Sequence, residues 1–414
     1  MMDEALARLD PGRELWIAER GVVTAGDAVR MRQGRGAAER VIIGSHDPLE
    51  CAKAMACAEA RARMVLIVPS DLEEPVARRL TEVFESEPSW LGETRWVIAT
   101  SGTTGTPKLV SHTLRSLTRT SKKDPQAGAR FRWGLLYDLA RFAGLQVFFN
   151  SLLSGSSLIL SDPTQPLERR LEWLARNHCN ALSATPTMLR KILMSTAAEK
   201  FAFRQVTLGG EISDQPILDA LRRKYPQARI SQIYASTEAG VGFAVNDGRA
   251  GFPKSFVEHP PAGVELRVDT EGFLLVRTEN RDQGYLGARE SLFDKQGWIN
   301  TGDLVAGESD RFVFLGRANG AINVGGNKVQ PEEVERVIGS FPGVRIAAVY
   351  GKKSAITGQV VAADVVADVG NEASNWKREL AAHCALHLAG HKVPALIRIV
   401  DDIPVTQAGK LARR

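Results

Sequence analysis

Short apolar runs punctuate the first two thirds of this chain, and each is too brief for anything but a buried strand. VIIG (41–44), MVLIV (64–68), RWVIAT (95–100), SLILS (157–161), NALSA (180–184), RQVTLG (204–209) and RISQIY (229–234) are of this kind. Between several of them the apolar positions recur at helical spacing, as in LECAKAMACAEARA (49–62) and QPILDALRRKY (215–225). Strand–helix alternation predicts a layered α/β domain with a largely parallel sheet. From about residue 262 the pattern changes. GVELRVD and GFLLVRT alternate around Gly and Asp turns and predict a hairpin-rich segment, followed by the strand RFVFLG (311–316). After the polar stretch RANGAINVGGNKVQ, the segment PEEVERVIGSF has Pro and acids in its first turn, which predicts a helix start. Two strands (RIAAVYG, QVVAADVV), a helix and a strand complete a small α+β unit. The expected architecture is a large N-terminal α/β domain, residues 1–317, with layered, largely parallel sheets and a β-rich subregion. A small α+β C-terminal domain, residues 318–414, follows.

Composition narrows the function classes. A length of 414 residues exceeds one ordinary core, which agrees with two domains. A charged fraction of 24% is ordinary for a water-soluble fold, and a net charge of +5 spread along the chain argues against nucleic-acid binding. No apolar run reaches the roughly 20 residues of a membrane-spanning helix, so no integral membrane association is expected. The start, MMDEALARLDPGRELW, is acidic and mixed, unlike a secretory leader. Four cysteines without CxxC or metal-ligand spacing fit free thiols, and a cytoplasmic location is expected.

Candidate chemistry begins at TSGTTGTPK (100–108), between the strand RWVIA and the run HTLRSLTRTSK, which has a helix-like pattern. Glycines admit backbone close to a ligand, successive N–H groups form an anion-binding nest, and a lysine adds charge for phosphate oxygens. The GxxxxGK[ST] pattern of P-loop nucleotidases is absent, and Pro107 removes a donor just before the lysine. By composition alone, a phosphate cradle and a Ser/Thr/Gly surface loop are about equally supported.

The wording of this stretch resembles [ST]SG[ST]TGxPK, the phosphate-loop signature of the adenylate-forming acyl-activating enzymes, a superfamily of acyl-CoA synthetases, peptide-synthetase adenylation domains and luciferases. Four more stretches match in the family's order. The resemblance implies ATP binding by Thr100, Ser101, Gly102, Thr103, Thr104, Gly105 and Lys108. YASTE (234–238) resembles YGxTE and implies that Tyr234 packs on adenine, Thr237 contacts the α-phosphate and Glu238 helps hold Mg²⁺; the usual Gly is Ala235. GWINTGDLV (297–305) implies Asp303 on the ribose hydroxyls, and LGRANGAINVGGNKVQPEEVE (315–335) implies Arg317 on ribose or phosphate. Asn319 stands at the hinge position, where the family usually has Asp or Lys, and Gly326 and Lys328 would line the thiol-acceptor tunnel. PVTQAGKLARR (404–414) implies a catalytic lysine, Lys410, and LGGEI (208–212) borders adenine with Gly209, Gly210 and Glu211. The resemblance runs from about residue 95 to the last residue; the first 95 residues make a shortened N-terminal subdomain.

The implied activity is ATP-dependent conversion of a carboxylic acid to an acyl-adenylate, with release of pyrophosphate and acyl transfer to a thiol. The implied partners are ATP, Mg²⁺, a small carboxylic acid and coenzyme A. A phosphopantetheine arm on an acyl or peptidyl carrier protein presents the same thiol, so a carrier-loading ligase stays open, as does a non-catalytic nucleotide-binding relative. Thr237, Glu238 and Lys410 would act in catalysis, with the small domain rotating about its hinge between the two steps. In LLYDLARFAGLQVFFNSLLSGSSLIL (135–160), Arg141 falls where many relatives have His. Phe142, Gly144 and Thr185, within SATPT, are the expected acyl-pocket neighbours. Arg141 is expected either to face solvent or to pair with a second polar group of the acid. Asp138 lies at the wrong distance from LLSG to hold an α-amino group, which disfavours an amino-acid substrate.

Overall fold

The structure is a computed structural model. It describes all residues except 34–35, 60, 101–106, 262, 279–283, 288–290, 355–356, 369–372, 407 and 414. Among the described residues, four sheets organise the chain. The largest has eight strands. Its centre is a parallel block, Arg229–Ser236, Gln205–Gly209, Ala181–Ala184, Arg132–Leu135, Ser157–Leu160 and Glu14–Ala18, with antiparallel Gly240–Val245 and Gly21–Thr24 at the edges. A second sheet runs Gly284–Leu286, Leu109–Thr113, Arg95–Ala99, Ala62–Ile67 and Ala38–Ile43.

Helices Pro48–Glu59 and Phe142–Ser154 lie in the core these two sheets share. Trp16 and Phe148 stand 5.6 Å apart, and Trp96 meets Phe149 edge-on at 5.2 Å. The helix Phe142–Ser154 is buried nearly all round, as its apolar sequence FAGLQVFFNSLLS requires, and it ends at Gly155 with φ of 68°, a conformation glycine adopts without strain. The helix Gln215–Lys224 is amphipathic and starts on Asp214, whose carboxylate accepts from Ile217 N at 3.1 Å. A third, antiparallel sheet contains Val264–Val268, Phe273–Thr278, Ile299–Glu308, Arg311–Arg317 and Phe252–Pro253.

The fourth sheet belongs to the C-terminal segment: Asn327–Val329, Ile322–Val324, Gly358–Ala367 and Val344–Ser354, with Leu396–Ile399 parallel to Gly358–Ala367. It has its own apolar core under helices Pro331–Gly339 and Ala373–His387. The large mixed α/β body with its β-rich part, and the smaller C-terminal α+β unit, are the expected fold class.

Three features differ from the sequence reading. The run HTLRSLTRTSK opens in a strand, Leu109–Thr113, paired antiparallel with Arg95–Ala99, and only Leu114–Leu117 is helical. The β-branched Val110 and Thr113 suit a fully buried strand, and that pairing overrides the helical spacing. The hairpin Glu14–Ala18/Gly21–Thr24 and the edge strand Gly240–Val245 carried too little apolar length to stand out.

Candidate active site

The carboxyl ends of the parallel strands open onto a cleft of about 1660 Å³ that the C-terminal tail partly covers. Such crevices are where open α/β sheets bind ligands. Strand Arg229–Ser236 delivers Tyr234. Its ring is stacked between Phe243, at 5.1 Å, and Phe314, at 5.3 Å, and its hydroxyl donates to Asp303 Oδ2 at 2.7 Å. Burial, and next the Asp303 charge, push the Tyr234 phenol well above its ordinary range, so it remains a donor. Asp303 Oδ1 accepts from Arg317 Nε at 2.9 Å across the register Asp303↔Arg317 of two adjacent strands. Residues 69 and 83 positions apart in sequence thus meet in one polar cluster at the cleft.

Thr237 and Glu238 follow in the same turn and line the cleft, with Ala235 beside them. The carbonyl of Thr237 is held by His112, whose Nε2 lies 2.6 Å away, while Nδ1 lies 3.1 Å from Ser116 Oγ. An acceptor opposite Nε2 places the ring proton there. Burial lowers the pKa of His112 from 6.5 to about 4, so the ring is neutral. His112 was not singled out in the sequence, where a lone histidine in LVSHT carries no spacing signal.

The phosphate-loop residues Ser101, Gly102, Thr103, Thr104 and Gly105 lie outside the described residues. The described ends close a hairpin: Thr100 N donates to Lys108 O at 2.8 Å and Lys108 N to Thr100 Oγ1 at 3.0 Å. Thr100 lines the cleft, whereas the Lys108 ammonium stands over the Tyr285 ring at 4.7 Å.

The tail brings Lys410 into the cleft, against Gly210, where an added Cβ would lie 3.7 Å from Lys410 Cε. That distance leaves room for a side chain, and it is the φ of +83° at Gly210 that favours glycine there. Burial first, then Arg317, lower the Lys410 pKa, with Glu211 and Asp303 opposing. Gly209 ends its strand on the cleft floor. Glu211, expected beside adenine, lines the cleft, and each of its carboxylate oxygens also accepts a backbone N–H. Oε2 accepts from Thr187 N at 3.0 Å and Oε1 from Leu411 N at 2.6 Å.

The expected acyl-pocket residues divide. Phe142, Arg141 and Thr185 line the cleft. Arg141 does not face solvent: its Nη2 sits 2.6 and 2.5 Å from the two oxygens of Asp71, a residue the sequence did not single out. Gly144 is a packing residue. A Cβ there would stand 2.2 Å from Asp138 O, which explains the glycine without a pocket role. Thr185 is fully buried; its hydroxyl donates to Gly409 O and accepts from Met188 N at 3.1 Å, so it caps a helix and holds the tail. Gly326 and Lys328 lie in and beside the exposed turn between Ile322–Val324 and Asn327–Val329, away from the cleft. In this arrangement the tail face of the small domain, not that hairpin, meets the cleft. Asn319 is exposed in the one-turn helix Ala318–Gly320 that joins the third sheet to the small domain.

A fold of two large sheets with a docked C-terminal domain, and a cleft joining an aromatic–carboxylate–arginine cluster to a lysine of the C-terminal tail, are those of an adenylate-forming acid–thiol ligase. The chain belongs to the AMP-binding enzymes: residues 26–287 match that family, and residues 333–410 match the AMP-binding enzyme C-terminal domain. It is 31% identical over 347 residues to a 2-succinylbenzoate–CoA ligase of Geobacillus kaustophilus, covering 78% of this chain and 69% of that protein. It is 28% identical over 364 residues to the Bacillus velezensis protein of the same name, covering 84% and 73%. Among solved structures, an anthranilate CoA ligase in complex with anthranoyl-AMP superposes with a TM-score of 0.79 at 18% identity, covering 99% of this chain and 95% of that one. The Bacillus subtilis o-succinylbenzoate CoA synthetase with its acyl-adenylate gives 0.71 at 22% identity, covering 99% and 96%. Among the described residues, no helix is long and apolar enough to cross a membrane.

Proposed function

We propose that this chain uses ATP to convert an aryl-type carboxylic acid to its acyl-adenylate and then transfers the acyl group to coenzyme A. The observation that carries the reading is the convergence of Lys410 with Tyr234, Asp303 and Arg317 on one cleft. A carboxylate is a poor electrophile because it is anionic and its leaving group is oxide. Attack of the acid oxygen on the α-phosphorus, with pyrophosphate leaving, corrects both faults. Tyr234, whose two ring faces are covered by Phe243 and Phe314, borders the adenine site and holds Asp303 through its hydroxyl, and Asp303, oriented by two donors, accepts from the ribose hydroxyls. Lys410 stabilises the negative charge that builds between acid and α-phosphate, and Thr237 orients that phosphate. This is positioning and electrostatic stabilisation, without covalent catalysis by the protein.

Glu238 fits a magnesium ion. Its carboxylate lines the cleft next to Thr237, and Mg²⁺ prefers oxygen ligands with phosphate completing the shell. The ion would offset charge on the departing phosphates. Ser101, Gly102, Thr103, Thr104, Gly105 and Lys108 would cradle those phosphates. For the second step, residues 318–414 act as a lid that turns at Asn319 and presents Gly326 and Lys328 to the acceptor thiol.

The names of the relatives point to 2-succinylbenzoate as the first acid to try, with coenzyme A as acceptor. A cytoplasmic location fits these soluble substrates. The deciding experiment is acid-dependent ATP–pyrophosphate exchange with 2-succinylbenzoate, anthranilate, benzoate, malonate, acetate and amino acids, with Lys410→Ala as control. Exchange with one acid class, lost by at least about a hundredfold in the variant, is the expected result. ATP binding without exchange for any acid would overturn the enzymatic reading in favour of a non-catalytic nucleotide-binding protein.

A further inference from the structure

Lys410 is useful only where its ammonium meets the reacting atoms, yet it sits near the end of the chain on a tail with few apolar anchors. Val405 and Leu411 pair as an isolated bridge, and Thr406 N donates to Lys410 O at 2.8 Å, so the tail forms its own small turn. Val405 packs on the large-domain core, and a pair of contacts on either side of Lys410 holds the rest of that turn to the large domain. On the preceding residue, the Gly409 carbonyl accepts from the Thr185 hydroxyl. On the following residue, Leu411 N donates to Glu211 Oε1 at 2.6 Å.

Both partners are pre-oriented by one helix start. Thr185 Oγ1 already accepts from Met188 N, and Glu211 Oε2 already accepts from Thr187 N. The start of helix Pro186–Met194 therefore presents one donor and one acceptor in fixed positions. Farther along the same helix, Lys191 pairs with Asp402 at 2.6 Å, a third tie to the C-terminal segment. Gly409 completes the fit. Its φ of +71° makes the turn, and a Cβ there would lie 3.6 Å from both Thr185 Oγ1 and Met188 Cε.

We infer that Thr185 and Glu211 form a socket that grips the backbone on both sides of Lys410, making Glu211 a positioning residue for the adenylation step. Glu211 acts through the tail, not on nucleotide. The assignment rests on the reading of Lys410 as the adenylation lysine, and the two can fail separately. A carboxylate accepting a backbone N–H is among the stronger hydrogen bonds, so its loss is expected to change seating by about tenfold or more.

Two measurements test this. In the first, trypsin cleavage after Lys410 is followed by mass spectrometry in the presence of MgATP, which needs no acid substrate. Glu211→Ala should expose that bond at least about tenfold faster than the parent, with Glu211→Gln between them because it keeps an acceptor oxygen. Cleavage sites in the large domain report whether the variant stays folded. Equal rates at Lys410 in the parent and Glu211→Ala overturn the inference.

The second measurement uses 2-succinylbenzoate in pyrophosphate exchange. An amide-to-ester replacement of the Lys410–Leu411 peptide bond removes the tail N–H while keeping the leucine side chain; among the described residues no other bond uses that N–H, so the replacement should slow exchange about as much as Glu211→Ala. The double variant should be no slower than either single one, since both delete the same contact. Thiolysis of pre-formed acyl-adenylate should fall far less than exchange. Multiplicative losses, or equal losses in both half-reactions, overturn the inference. Faster tryptic cleavage with exchange unchanged keeps the socket and overturns the role given to Lys410.

Discussion

His112 shows how much a single buried side chain can decide. Its ring spans two strands that carry different parts of the proposed nucleotide site: its own strand follows the phosphate-loop segment, and its partner, the Thr237 carbonyl, opens the Thr237–Glu238 turn. The geometry needs a neutral ring with its proton on Nε2, and burial enforces this by lowering the pKa from 6.5 to about 4. The folded state therefore takes up this proton later than the unfolded chain as pH falls. Stability from the neutral ring is complete above about pH 6.5 and is lost progressively down to about pH 4, a total of about 3 kcal/mol. Urea unfolding of His112→Gln, which keeps a donor but cannot titrate, should show a pH dependence flatter than the parent's by about that amount over the same window. Equal pH slopes would exclude His112 as the titrating group. At neutral pH the variant should retain most pyrophosphate exchange, whereas His112→Ala leaves the Thr237 carbonyl without its donor and should lose at least about tenfold.

At the scale of elements, two adjacent strands of the third sheet place Asp303 opposite Arg317, and a strand of the largest sheet brings Tyr234 to both. Asp303→Ala would strand two donors at once. The expected result is ATP binding weakened by at least about tenfold in calorimetry, with the far-ultraviolet spectrum unchanged. The strands themselves were legible because they are short, apolar and bounded by turn residues. Tyr234, Asp303, Arg317 and Lys410 were legible through motif resemblance, and the structure brings all four to one cleft. What pattern could not show was pairing. HTLRSLTRTSK has a helix-like pattern, but its first two residues belong to the strand Leu109–Thr113, which pairs with Arg95–Ala99, and that non-local contact decides their form. Gly144 read as a pocket residue because it neighbours Phe142, yet its lost side chain makes room for the Asp138 carbonyl. Arg141 read as solvent-facing or substrate-pairing because Asp71, seventy residues away, supplies a charge that no local pattern announces. Glu211 read as a nucleotide neighbour through the resemblance of LGGEI, and its two backbone donors, Thr187 N and Leu411 N, come from segments that no local pattern announces.

For the whole molecule, the small domain carries both proposed working faces, and only one can face the cleft at a time. Lys410 is seated there, while Gly326 and Lys328 stand on a separate hairpin away from it. One rigid arrangement therefore cannot serve both half-reactions if both assignments hold. Fixing the present arrangement should separate them. Lys191 and Asp402 form an ion pair across the two domains, and the four native cysteines are all buried, so cysteines placed at 191 and 402 can be bridged selectively by a short bis-maleimide. The cross-linked protein should keep acid-dependent pyrophosphate exchange within about fivefold of the parent protein, since the loss of one half-exposed ion pair is worth at most about 1 kcal/mol. Its formation of thioester from acid, ATP and coenzyme A should fall by at least about a hundredfold, because the hairpin with Gly326 cannot replace the tail. Cleaving a disulfide-containing version of the linker should restore turnover, which separates restraint from damage. Unimpaired thioester formation by the cross-linked form would mean that coenzyme A reaches the acyl-adenylate with Lys410 still in place, and the hinge at Asn319 would then have no catalytic role.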